Sequence, residues 1–92
     1  MKREEIMQIL KIDIGVSAST KAYDLYLNSL IELAEAAITK EGIQLINSTE
    51  DGMLIEMYAA YLYRKRREGT AMPRQLRWML NNKLFVQKAK GD

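Results

Sequence analysis

Apolar residues recur along most of this chain at steps of three and four, the period of an amphipathic helix, and four stretches carry it. The first is predicted over about residues 2–11. Ile6, Ile9 and Leu10 form its apolar side, and Glu4 and Glu5 sit in the first turn, where carboxylates meet the positive end of the helix dipole. Gly15 closes that segment, and Val16 to Thr20 reads as a loop leading to an N-cap at Ser19 or Thr20. The second helix is expected over about 20–41. Its stripe of Tyr23, Tyr26, Leu27, Leu30, Leu33, Ala34, Ala37 and Ile38 lies opposite Lys21, Asp24, Asn28, Glu32, Glu35 and Thr39. Tyr23, Leu27, Leu30 and Ala34 are assigned to the core. Gly42 is placed as a left-handed cap, and Ile43 to Ile46 as a connector that packs down.

Asn47-Ser48-Thr49-Glu50-Asp51 is a helix start with capping-box spacing, either Asn47 with Glu50 or Ser48 with Asp51. The third helix, about 49–68, is apolar nearly all round, since ten of the eleven residues from Met53 to Tyr63 are apolar. Such a helix belongs at the centre of a bundle or between subunits, and Leu54, Tyr58 and Leu62 are expected in the core. It turns basic at Arg64-Lys65-Arg66-Arg67, which suits the negative end of the dipole, and Gly69 stops it. Pro73 opens the last helix, about 73–88, with Leu76 and Leu80 assigned to the core. Four helices joined by short loops predict an all-α, four-helix bundle-like single domain.

The last helix has two apolar sides. Leu76, Leu80 and Leu84 are four apart, whereas Trp78 and Phe85 are seven apart and lie roughly opposite. With 92 residues there are few elements left to cover a second face, so Trp78 and Phe85 are read as an interface. The competing reading has both of them covering a crevice of their own bundle.

Composition narrows the chemistry. Cysteine and histidine are both missing, which excludes a disulfide framework, a zinc site and a histidine general base, and fits a reducing compartment such as a bacterial cytoplasm. No stretch is long and apolar enough for a signal peptide or a membrane span, so a soluble, unexported protein is expected. No Gly-rich phosphate loop or nucleophile–base pair is visible, and no enzymatic activity or cofactor is expected. Glu56, the one acid on the apolar helix, is expected to pair with the nearby arginines. The net charge of +2 is unevenly divided. Residues 1–46 hold five basic and seven acidic side chains, and residues 47–92 hold nine basic and five acidic ones. The Arg64 to Arg67 run with Arg74 and Arg77 is either a phosphate-facing patch or a solvated helix end. Tyr58 and Tyr61 are read as packing residues with their hydroxyls at the rim, and the six methionines as adaptable fillers.

The stretch Asp51 to Arg67, followed by Met72-Pro73-Arg74-Gln75-Leu76-Arg77-Trp78-Met79-Leu80-Asn81-Asn82-Lys83-Leu84-Phe85, resembles the small head–tail connector (adaptor, or head-completion) proteins of long-tailed bacteriophages and prophages. The acidic, alanine-rich Leu30 to Ile38 is similar to that family's long helix, and the likeness spans about Ile9 to Phe85. It rests on helix pattern and local wording. The resemblance implies a protomer of a ring beneath the portal of the filled capsid, about twelve copies around the DNA channel, that carries the next stopper or tail-completion protein. It implies a virion-neck location, assembly in the bacterial cytoplasm, and DNA passing through the channel without sequence-specific binding. It makes Arg74, Arg77, Trp78, Leu84 and Phe85 the candidate portal contact, and it puts Arg64, Lys65, Arg66 and Arg67 between subunits or facing the channel. This chain is shorter than many members, with little beyond Lys88 and no long inserted loop.

Two other classes compete. A small DNA-binding regulatory protein would use the last helix for recognition, with Arg74, Arg77, Asn81 and Asn82 as base readers. A stand-alone regulatory helical dimer would need no portal.

Overall fold

Helix α3 (Thr49–Glu68) is the axis on which the other three helices pack, in a computed structural model that describes residues 1–91. Its ends are determined locally. The Ser48 hydroxyl accepts the Asp51 N–H at 3.1 Å, Glu50 and Asp51 occupy the first turn, Lys65 to Arg67 occupy the last, and Gly69 closes the helix at φ 68°. Between those ends Leu54, Ile55, Tyr58, Ala59 and Ala60 are buried. The two alanines let neighbouring backbones come close. Of the sequence-predicted core, Leu54 and Tyr58 are buried, while Leu62 is half-buried and packs against the margin of the core.

Helix α1 (Arg3–Ile14) lays Ile6, Met7 and Leu10 against α3. It runs three residues past the predicted end at residue 11, because the left-handed Gly15 lets Val16 donate back to the Lys11 carbonyl at 2.8 Å. Helix α2 (Asp24–Lys40) buries Leu27, Leu30, Ile31, Ala34 and Ile38. Gly42 follows it at φ 99°, in the left-handed region assigned to it.

The start of α2 differs from the expectation. Residues 20–23 are turn instead of helix, and the physical reason is Lys11. Its buried ammonium takes the Thr20 carbonyl at 2.7 Å and the Asp24 carboxylate at 2.7 Å, so this stretch serves a cation instead of a helical ladder. Tyr23 is therefore the N-cap residue of α2, not a core residue, and is 55% exposed. Leu33 also leaves the predicted stripe. The face towards α3 runs through Ile31, and Leu33 points away from it.

Helix α4 (Arg74–Ala89) rests on fully buried Leu76 and Leu80, each worth about 2–5 kcal/mol against alanine. Pro73 is its N-cap residue, one position before the first helical residue. Met79 and Leu84 pack against the core beside them, and the other attachments of α4 are polar. The Lys83 ammonium lies 2.8 Å from the Asp51 carboxylate, Arg77 bonds Glu41, and the Gln87 amide accepts from Gln44 N–H and donates to the Gly42 carbonyl, both at 2.8 Å. Asp51 is completely buried and also accepts the Ile46 N–H at 2.8 Å. One carboxylate thus joins the connector, the first turn of α3 and α4. No helix among the described residues is long and apolar enough to cross a membrane.

Candidate functional site

Three groupings stand out once the core is removed from consideration. The first is the outer face of α4. Leu76 and Leu80 bind the helix down, and the residues opposite them are left in solvent: Trp78 is 64% exposed and Phe85 71%. Arg74 is exposed on the same helix. Two further residues predicted for this surface are engaged within the chain. Arg77 is half-buried and held by Glu41, and Leu84 packs inward, where its Cδ1 would lie 3.6 Å from a Cβ on Gly42. The reason is rotation along the helix: Leu84 is four residues from Leu80 and continues its buried row. The exposed contact surface is therefore Arg74, Trp78 and Phe85. The same pairing removes Arg77 from the set of readers that a recognition helix would use.

The second grouping is the basic end of α3. The run does not act as one cluster. Arg64 turns aside to Asp13, bonding its carboxylate at 2.8 Å and its carbonyl at 2.9 Å. Lys65, Arg66 and Arg67 are exposed, and each lies over a tyrosine: Lys65 over Tyr61 at 5.7 Å, Arg66 over Tyr26 at 5.8 Å and Arg67 over Tyr63 at 5.4 Å from the ring centroid. Beside them Tyr23, Tyr26, Tyr63 and Arg67, with Val16 and Leu27, line a cleft of about 330 Å³. The tyrosines of this cleft were missed as a group. Tyr23 and Tyr63 are forty residues apart, and only the turn forced at the start of α2 brings Tyr23 outward.

The third grouping lies between α1 and α3. Glu56 is buried, and one of its oxygens has no hydrogen-bond partner. Its expected pairing with arginine is replaced by an acid pair. Burial, and then the bond to Asp13 and that carboxylate's charge, push Glu56 up to about 8. Asp13 is held below the usual carboxylate value by its bond from Glu56 and by Arg64. Arg64 is correspondingly raised by its bond to Asp13. At neutral pH Glu56 is a neutral acid donating to an ionised Asp13, in a seam between α1 and α3. Burial also raises the Tyr58 hydroxyl above its ordinary value.

No protein-family model, curated protein or solved structure matches this chain.

Proposed function

We propose that this chain is a structural subunit of the head–tail connector of a long-tailed phage or prophage, a ring protomer under the portal that extends the DNA channel and offers a platform to the next neck component. The observation that carries the reading is the outer face of α4, where an indole and a phenyl ring stand in solvent on a helix whose other face is fully used. Large exposed aromatics on a small domain supply the anchors of protein interfaces.

Charge adds a smaller argument. On α2 Asp24 and Glu35 are paired with Lys11 and Arg3, and on α4 Arg77 and Lys83 are paired with Glu41 and Asp51, so Glu32 is the acid left on α2, and Arg74 and Lys88 the bases left on α4, to meet another copy. A ring needs two different surfaces to meet between copies, and opposite charge favours that pairing. Leu25 and Leu33, exposed on α2, give a second apolar surface on the acidic side. In this reading Trp78, Phe85 and Arg74 meet the portal, the α2 face of Leu25, Glu32 and Leu33 meets a neighbouring copy, and no catalysis is performed.

The experiment is co-expression with the portal protein of a phage or prophage whose genome encodes this chain, followed by electron microscopy of the purified assembly. A ring of this chain seated on the portal, lost when Trp78 and Phe85 are both changed to alanine, is the expected result. A portal that purifies free of the wild-type chain refutes the proposal.

A further inference from the structure

A separate site lies at the other end of the molecule. We propose that the cleft of Tyr23, Tyr26 and Tyr63, with Arg67 at its rim and Arg66 over Tyr26, binds a nucleotide unit, stacking the base on tyrosine and holding the phosphate on guanidinium.

Three tyrosines, Val16 and Leu27 wall the cleft, and the one charged residue among the lining is Arg67. Tyr26 and Tyr63 stand 6.4 Å apart between ring centroids and tilted by 54°, forming an open corner instead of a closed stack. Tyr23 contributes a third ring, 55% exposed, at the entrance. The volume of about 330 Å³ is at the lower end of the range for small-ligand sites, about 300–1,000 Å³. No carboxylate lines it, and Asp24, next to Tyr23, is already paired with Lys11. An acidic group without a ring would use the guanidiniums and leave the tyrosine faces idle. An apolar peptide would do the reverse and bury the tyrosines beside unpaired cations. A base with its phosphate uses both, which is how aromatic platforms beside basic grooves hold unpaired nucleic acid. Residues from two elements converge to build this site, with Tyr23 and Tyr26 from the start of α2 and Tyr63, Arg66 and Arg67 from the end of α3. The inference does not rest on the connector reading, since it concerns the opposite end of the chain from Trp78.

A nucleotide unit can come from a free mononucleotide or from a single strand. The probes are a labelled oligothymidylate of about ten nucleotides, followed by anisotropy at about 50 mM and about 200 mM salt, and thymidine monophosphate as competitor. The intact chain is expected to bind the strand, more weakly at the higher salt. Tyr23→Ala is expected to weaken binding about tenfold with an unchanged melting temperature, and Arg67→Ala several-fold with a salt slope shallower by about 0.7. Competition by thymidine monophosphate assigns the site to free nucleotides, and its failure assigns the site to strands; either outcome with the Tyr23 dependence upholds the inference. Binding that ignores Tyr23→Ala, or that inorganic phosphate displaces as well as the nucleotide does, reduces the site to an anion patch and overturns it. So does the absence of binding to both probes.

Discussion

Two aromatic surfaces face solvent on this protein, and their difference is instructive. On α4 the rings are Trp78, at the edge of a recess shared with Glu50 and Leu54 of α3, and Phe85, and their support lies behind them in Leu76, Leu80 and the Asp51–Lys83 pair. At the end of α3 the rings are tyrosines, set in a concavity and overlain by arginines. The first presents mainly apolar area and suits a protein partner whose own surface closes over it. The second presents π faces and fixed cations in a recess and suits a planar anion. Exposure alone would have grouped them together. What separates them is whether the rings meet and whether cations lie over them.

The largest expected effect tests the support of the α4 surface. Asp51→Ala leaves Lys83 and the Ile46 N–H without their acceptor and should destabilise the fold by about 3–5 kcal/mol, measured by urea unfolding. A loss below about 1 kcal/mol would mean that α4 is held by leucines alone. Next in size, Trp78→Ala and Phe85→Ala should each weaken docking on the partner by about 2 kcal/mol while changing unfolding stability by no more than about 0.5 kcal/mol. Equal losses of stability and docking would erase the distinction between support and surface.

The Glu56–Asp13 seam between α1 and α3 gives a pH signature. Glu56 titrates near 8 in the fold against an ordinary value of 4.5, so the folded state binds the extra proton between those values. Stability from this group is complete below about pH 4.5 and falls as pH rises through 8. The lowered Asp13 acts in the opposite sense, and its contribution is lost only in acid. Glu56→Gln keeps the donor to Asp13 without the charge. It should leave stability unchanged near pH 5 and raise it by about 1–2 kcal/mol near pH 9, after discounting for the solvent that reaches Asp13. A stability curve as steep as that of the parent would contradict the acid pair. The smallest effect is expected at Tyr23→Ala, within about 0.5 kcal/mol by thermal unfolding, because its ring stands outside the core.

Much of this architecture was legible in the sequence because helix periodicity, caps and left-handed glycines are local signals. The Ser48 cap with Asp51, Gly42, Gly69 and the inward row Leu76–Leu80 all follow from spacing. The separation of Trp78 and Phe85 from the leucine row was equally legible, since seven residues along a helix return to one side. What spacing could not show is pairing across the fold. Arg77 looked like a free contact residue until Glu41 stood beside it, and Arg64 looked like part of a basic cluster until Asp13 claimed it. Tyr23 matched the apolar stripe by period and lost its place because a buried lysine twelve residues earlier needed the turn it occupies.

The chain has a single tryptophan, so its fluorescence reports one place on the α4 face. Acrylamide quenching of Trp78, compared between the isolated chain and the chain mixed with the portal protein proposed as its partner, decides whether this face is a docking surface. The account predicts ready quenching in the free chain and strong protection in the complex. Quenching that is the same in both states would contradict it, since the indole would then be covered by nothing when the protein is at work.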